Sequence, residues 1–223
     1  MLDFAQARRN MIDGQLRTYD VNDIPVLNVM GALPRERFVA PGHEAFAYSD
    51  QDPPVSDGIE GAERRLMLKP MVTGRMIQML GVVPGAKALD VAGGLGYTAA
   101  VLARLGAQVT ALESSEAMAR AARERLAACG IDGVATVAGP LERGWPDGAP
   151  YEVILVNGLV ERRPQALLDQ LADGGRLACL ERVGSARRAM LYVRAGDAFG
   201  ARSVFDAAGP TLPAFRAEPG FVF

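Results

Sequence analysis

The chain has 223 residues, 24 Lys and Arg against 26 Asp and Glu, a net charge of −2 and a hydrophobic share of 49%. That length suits one large α/β domain with a short extension, whose core needs neither disulfide nor structural metal. The near-neutral balance offers no positive excess to hold nucleic acid or an anionic membrane, and the apolar share excludes a disordered chain.

In chain order, Phe4 to Leu16 and Ile24 to Leu33 carry helical patterns, and Ala45 to Ile59 is a loop rich in Pro, Asp and Ser. Lys69 to Leu80 is helical again, with Met71, Val72, Met76, Met79 and Leu80 on its apolar face. Residues 1–85 therefore read as a helical and loop cap packed on the rest of the chain. From residue 86 to 223 the pattern changes. Lys87 to Ala92 is a strand, Tyr97 to Leu105 a helix, Gln108 to Glu113 a strand and Glu116 to Cys129 an Ala-rich helix. Strands come next at Val134 to Ala138 and Tyr151 to Val156, the latter apolar nearly throughout, as a parallel strand buried on both faces should be. Pro164 opens a helix through Leu171, Asp173 to Gly175 end it, and Arg176 to Leu180 returns as strand. A strand from Met190 to Arg194 precedes a Gly- and Pro-broken tail ending in Phe221 to Phe223, readable as edge strands. Alternating β and α at this spacing predicts a doubly wound, mainly parallel sheet with helices on both faces and Ala88 to Ala92 near its centre.

The longest uncharged stretch, Val91 to Ala103, is 13 residues of glycine-broken sequence, too short to span a bilayer. Met1 to Arg9 carries Asp3 and no apolar signal core, so a cytoplasmic location is expected, with Cys129 and Cys179 as reduced packing residues. One His and two Cys without ligand spacing predict no metal site, and His43 reads as a loop residue. The arginine pairs at 8–9, 64–65, 162–163 and 187–188 sit among acids and read as solvated faces.

The stretch Leu89 to Tyr97, LDVAGGLGY, closes one strand and opens a helix. Glycines there let backbone approach a ligand, and the helix N-terminus offers free N–H groups. Seventeen residues after Gly96, Glu113 ends the second strand, where a carboxylate can take both hydroxyls of a ribose. Turn plus acid points to a nucleoside-containing cofactor. The alternative is a tight β-to-α turn with Glu113 capping the following helix. A dinucleotide loop would read G-x-G-x-x-G, and no third glycine follows Gly94 and Gly96 in place, which disfavours a dehydrogenase.

Leu89 to Leu105 reads LDVAGGLGYTAAVLARL and resembles the run LEIGTGSGYQAAVLAxL of protein-L-isoaspartate O-methyltransferases. Gly139 to Pro150, GPLERGWPDGAP, is similar to that family's GDGxxGWPExAP, and Gln170 to Arg176, QLADGGR, to QLxxGGR. Upstream, Arg37-Phe38-Val39 and Ala47-Tyr48-Ser49-Asp50 resemble its RxxFV and AYxD elements. The resemblance implies a class I S-adenosylmethionine-dependent methyltransferase fold, S-adenosyl-L-methionine as cofactor and a peptide or protein carboxylate as acceptor. It places Asp90 at the ammonium of the methionine part, and Ala92, Gly94, Gly96, Glu113, Gly139 and Leu141 around the cofactor.

Three departures stand out. The family's T-I-S-Q-P element, whose hydroxyls face donor and acceptor, aligns with Leu66 to Pro70, where both hydroxyl positions are leucines. Ala92 replaces the first loop glycine, and Pro140 the acid of the GDG turn. Asn157 is then the polar side chain left near the donor, and Lys69 the nearest cation for an acceptor carboxylate, unless it is a solvent-facing residue at a helix start. Weak cofactor binding and poor turnover on isoaspartate are expected. A chain with another acceptor, or one that binds without turnover, is the competing reading.

Overall fold

Seven strands form one sheet in the order β3-β2-β1-β4-β5-β6-β7 in the computed structural model, which describes residues 3–217. The strands are β1 (Lys87–Val91), β2 (Gln108–Glu113), β3 (Ala135–Ala138), β4 (Tyr151–Val160), β5 (Leu171–Val183), β6 (Ala186–Ala195) and β7 (Ala198–Asp206). β1 to β5 pair in parallel, while β6 and β7 add antiparallel to one edge. The expected sheet is thus present, with β4 at its centre and β1 beside it. The tail supplies β7; Phe221 to Phe223 lie outside the described residues.

Side chains alternate between two apolar cores, as a strand period of two requires. Ala88, Val153, Leu155, Ala178 and Leu180 face one core, and Leu89, Val91, Ile154, Val156, Leu177 and Cys179 the other. The first core also holds Met11, Leu16, Met30, Phe38, Val72 and Met76, so the first 85 residues share the sheet's own hydrophobic interior. They contribute α1 (Phe4–Met11), α2 (Ile24–Ala32) and α3 (Pro70–Leu80), and α4 (Tyr97–Arg104) and α5 (Glu116–Ala128) lie within the sheet's crossovers. Coverage of the second face differs from expectation. Its helix is a single turn, α6 (Gln165–Leu168), assisted by Leu141, Leu212 and Phe215 from short turns.

The difference around α6 has a steric cause. Leu171 already pairs with Tyr151, so the strand starts before Asp173 and Gly174-Gly175 form a bulge inside it. A Cβ on Gly175 would stand 2.8 Å from the carbonyl oxygens of Ala172 and Tyr151, so only glycine fits. β4 likewise runs on to Val160 through a second register shift between Leu155 and Leu159, which turns Asn157 inward.

Arg35 ties the cap to α4. It is fully buried, donates to the carbonyls of Ala47 (2.7 Å) and Leu68 (2.5 Å), and lies 4.6 Å from the ring centre of Tyr97, the first residue of α4. In the RxxFV element the buried arginine is therefore Arg35, while Arg37 is exposed. The Gly-Trp-Pro and QLxxGGR runs meet as well: Gln170 accepts from Trp145 N–H at 2.9 Å and donates to Arg143 O at 2.7 Å.

Candidate functional site

The C-terminal ends of β1, β2, β3 and β4 converge beside the N-terminus of α4. Between β1 and α4 the backbone of Gly94 (φ 69°) and Gly96 (φ 93°) takes the left-handed region that favours glycine. Ala92 does so too, at φ 60°. This position demands what glycine gives at little cost, and here an L-residue carries the strain, roughly 1–2 kcal/mol. Gly93 is required for another reason: a Cβ there would lie 2.3 Å from Asp90 Oδ2.

Asp90 sits beneath the loop and is fully buried. Its Oδ2 accepts from Thr98 Oγ1 at 2.8 Å and its Oδ1 from Asn157 Nδ2 at 2.7 Å. Burial pushes its pKa up to about 6, and those two hydrogen bonds pull the other way. Asn157 Nδ2 also donates to Val91 O at 3.0 Å. Both amide hydrogens of Asn157 thus hold the end of β1, so its place is that of a positioning residue under the loop. Asp90 likewise presents no exposed surface to a ligand in this arrangement.

Glu113, 2% exposed, points at the loop and its Oε1 accepts from Gly94 N–H at 2.7 Å. Its Oε2 is buried without a partner. Ser115, not Glu113, caps α5 by accepting from Met118 N–H, which removes the capping alternative. Burial pushes Glu113 up to about 7, against the pull of Arg65 and the Gly94 N–H. Gly139 N–H donates to Glu113 O at 2.9 Å, and buried Leu141 comes after Pro140 at the end of β3. A Cβ on Gly139 would make ordinary contacts, the nearest at 3.6 Å, so close packing does not demand this glycine.

A flap covers the loop. Residues 53–67 fold back on themselves through Met67 N–H to Pro53 O (2.9 Å), Val55 N–H to Arg65 O (3.0 Å) and a bridge of Pro54 with Leu66. Val55 rests on Gly94, where a Cβ would approach its Cγ2 to 2.7 Å. Arg65 is 3% exposed and donates to Ser114 Oγ at 3.3 Å. The 64–65 pair is therefore not a solvated face: Arg64 is exposed, but Arg65 is buried in the site. The sequence offers both arginines as weaker candidates for an acceptor carboxylate and does not separate them, because a single buried arginine in a polar loop leaves no periodic trace.

Lys69 pairs with Asp50 at 3.4 Å, and its backbone N–H donates to Asp52 at 2.8 Å. Its charge is spent on the neighbouring loop. Leu68 is 2% exposed and packs in the core near Gly209, whereas Leu66 is only part-buried. Leu66 borders a groove of about 460 Å³ with Arg64, Pro210, Thr211 and Arg216. A second cleft of about 390 Å³ lies between the flap and α5; it reaches Val55 and Leu95 but not Glu113. The two cysteines are free, Cys179 in the core and Cys129 at the end of α5. Among the described residues, no helix is long and apolar enough to cross a membrane.

The unpartnered Glu113 oxygen beside the glycine loop suits a ribose diol, because a carboxylate accepts from two hydroxyls. Residues 6–201 match the family model of protein-L-isoaspartate(D-aspartate) O-methyltransferase. The chain is 41% identical over 177 residues to a protein-L-isoaspartate O-methyltransferase of Methylorubrum populi, covering 79% of each chain. Among solved structures, a protein-L-isoaspartate O-methyltransferase superposes with TM-score 0.80 at 25% identity, over 92% of this chain and 65% of that one. A candidate beta-aspartate methyltransferase from Plasmodium falciparum, in complex with S-adenosyl-L-homocysteine, shares the fold with TM-score 0.77 at 17% identity, over 96% of this chain and 100% of that one.

Proposed function

The chain belongs to the protein-L-isoaspartate(D-aspartate) O-methyltransferase family, and from that membership we propose that it methylates a carboxylate of isoaspartyl residues in peptides or proteins, with S-adenosyl-L-methionine as methyl donor. The observation in the site that supports the cofactor part of the reading is Glu113 Oε2, buried and unpartnered beside the glycine loop at the ends of β1 and β2. In this reading Glu113 holds the ribose, Gly94 and Gly96 let it approach, and Gly139 and Leu141 border the base. Asp90, Thr98 and Asn157 fix the loop from below.

S-adenosyl-L-methionine held by these residues would supply an activated methyl, with a neutral thioether as the leaving group. The acceptor carboxylate, whose ordinary pKa is about 4, is already ionised at pH 7, so the chain needs no general base. Its task is alignment, which in favourable cases contributes roughly 7–11 kcal/mol. The acceptor carboxylate still wants donors or cations. Leu66 and Leu68 offer no hydroxyl, and Lys69 is engaged by Asp50. Arg64 and Arg216 beside Leu66 are the cations bordering the groove, whose size and position at the flap suit an extended peptide. In this scheme residues 1–85 are the cap and substrate loop and residues 86–223 the donor-binding part. A cytoplasmic location fits two free cysteines in separate elements.

Transfer of labelled methyl from S-adenosyl-L-methionine to an isoaspartyl peptide, against the matching aspartyl peptide, tests the proposal. Selective incorporation supports it. Cofactor binding without incorporation into either peptide would sink the assigned acceptor.

A further inference from the structure

Arg65 reaches the site from the flap and is nearly out of solvent, at 3% exposure. Its Nη2 lies 3.3 Å from Ser114 Oγ and 3.4 Å from Glu63, while Nε and Nη1 are buried with no partner. Glu113 presents a buried oxygen that also lacks a partner. Arg65 donates to Ser114, the residue next to Glu113, and its charge acts on Glu113, yet the ion pair that Arg65 makes is with Glu63. A group that only donates and a group that only accepts thus stand near each other without bonding to each other. Burying such groups unsatisfied is costly, and more so when they are charged. A hydroxyl both donates and accepts, so a vicinal diol satisfies the two together.

We propose that Arg65 is a second ribose-binding residue: the ribose hydroxyls of the cofactor donate to Glu113 and accept from Arg65. The inference rests on the nucleoside cofactor of the proposed function and assigns to the flap a direct part in recognising it. Because Val55 and Arg65 are hydrogen-bonded partners on the same flap, the contact with Gly94 and the contact with the ribose form together. The flap then reads the sugar as well as shielding the loop.

The experiment is calorimetry on the full chain with S-adenosyl-L-homocysteine and with its 2′-deoxy and 3′-deoxy analogues, for wild type, Arg65→Gln and Arg65→Lys. Hydrogen bonds to charged groups predict that Arg65→Gln weakens binding of S-adenosyl-L-homocysteine roughly 10- to 100-fold. For the analogue lacking the hydroxyl that Arg65 binds, the same substitution should matter less than about threefold, since the bond is already absent. Arg65→Lys should recover part of the loss, and circular dichroism verifies that each variant is folded. Equal weakening of all three ligands by Arg65→Gln would make Arg65 a structural residue and overturn the inference, as would no weakening at all. Failure of the wild type to bind S-adenosyl-L-homocysteine would instead remove the cofactor assignment itself, and this inference with it.

Discussion

Raising the pH from 6 to 7.5 is expected to tighten binding of S-adenosyl-L-homocysteine about eightfold, through Glu113. This side chain is 2% exposed, and burial pushes it up to about 7. Arg65 and the N–H groups of Gly94 and Ser114 favour its charged form, and Asp90 opposes it. Its ionised fraction is then ~0.1 at pH 6 and ~0.8 at pH 7.5. Only the ionised form accepts from both ribose hydroxyls, so affinity tracks that fraction, a difference of about 1.2 kcal/mol. Binding at pH 6 should also release close to one proton, visible as a buffer-dependent enthalpy. Stability of the ligand-free chain should move the opposite way. A carboxyl whose folded pKa is raised contributes most below its unfolded value of 4.5, and that contribution is lost as pH rises towards 7. The loss is at most about 3 kcal/mol on this group's account. Adenosine, which has the ribose but no amino-acid part, should show the same pH slope, and Glu113→Gln should show none. An affinity that is flat between pH 6 and 7.5, or stronger at pH 6, would refute the assignment of Glu113 as the ribose acceptor.

Asn157→Ala leaves Asp90 Oδ1 and Val91 O without the amide that joins them, and should cost about 2–4 kcal/mol in urea unfolding. A loss under about 1 kcal/mol would mean this tie is dispensable. Ala92→Gly relieves roughly 1–2 kcal/mol of left-handed strain but forfeits ~0.8 for a buried methyl and ~0.4–1 in unfolded-state entropy. The variant should stay within about 1 kcal/mol of wild type; a loss beyond about 1.5 would show that the alanine is unstrained. Leu66→Thr, at a part-buried position, should raise methylation of an isoaspartyl peptide about 10-fold or more without unfolding the chain. Leu68→Ser, in the core, should cost about 2–5 kcal/mol instead, and equal thermal stability of the two variants would contradict the different burial of these leucines.

Much of the fold was legible because its signals are local. Gln108–Glu113 appears with its expected limits, and β1 lies next to the central strand, because β-branched runs alternate with helices at crossover spacing. The glycine turn and its acid were legible as well, since spacing along β1, α4 and β2 brings their ends together. The sequence hid how distant segments act on each other. The register shifts that extend β4 and β5 depend on which carbonyl meets which strand, as at Gly175 against Tyr151. Asn157 looks like a free polar group in sequence; a partner 67 residues away takes its amide. Arg64 and Arg65 are one motif on paper and opposite environments in space, because the short antiparallel turn of the flap sends neighbouring side chains to opposite faces. The strain at Ala92 is likewise tertiary: the substitution is visible in sequence, but its positive φ comes from a loop held between Asp90 below and Val55 above.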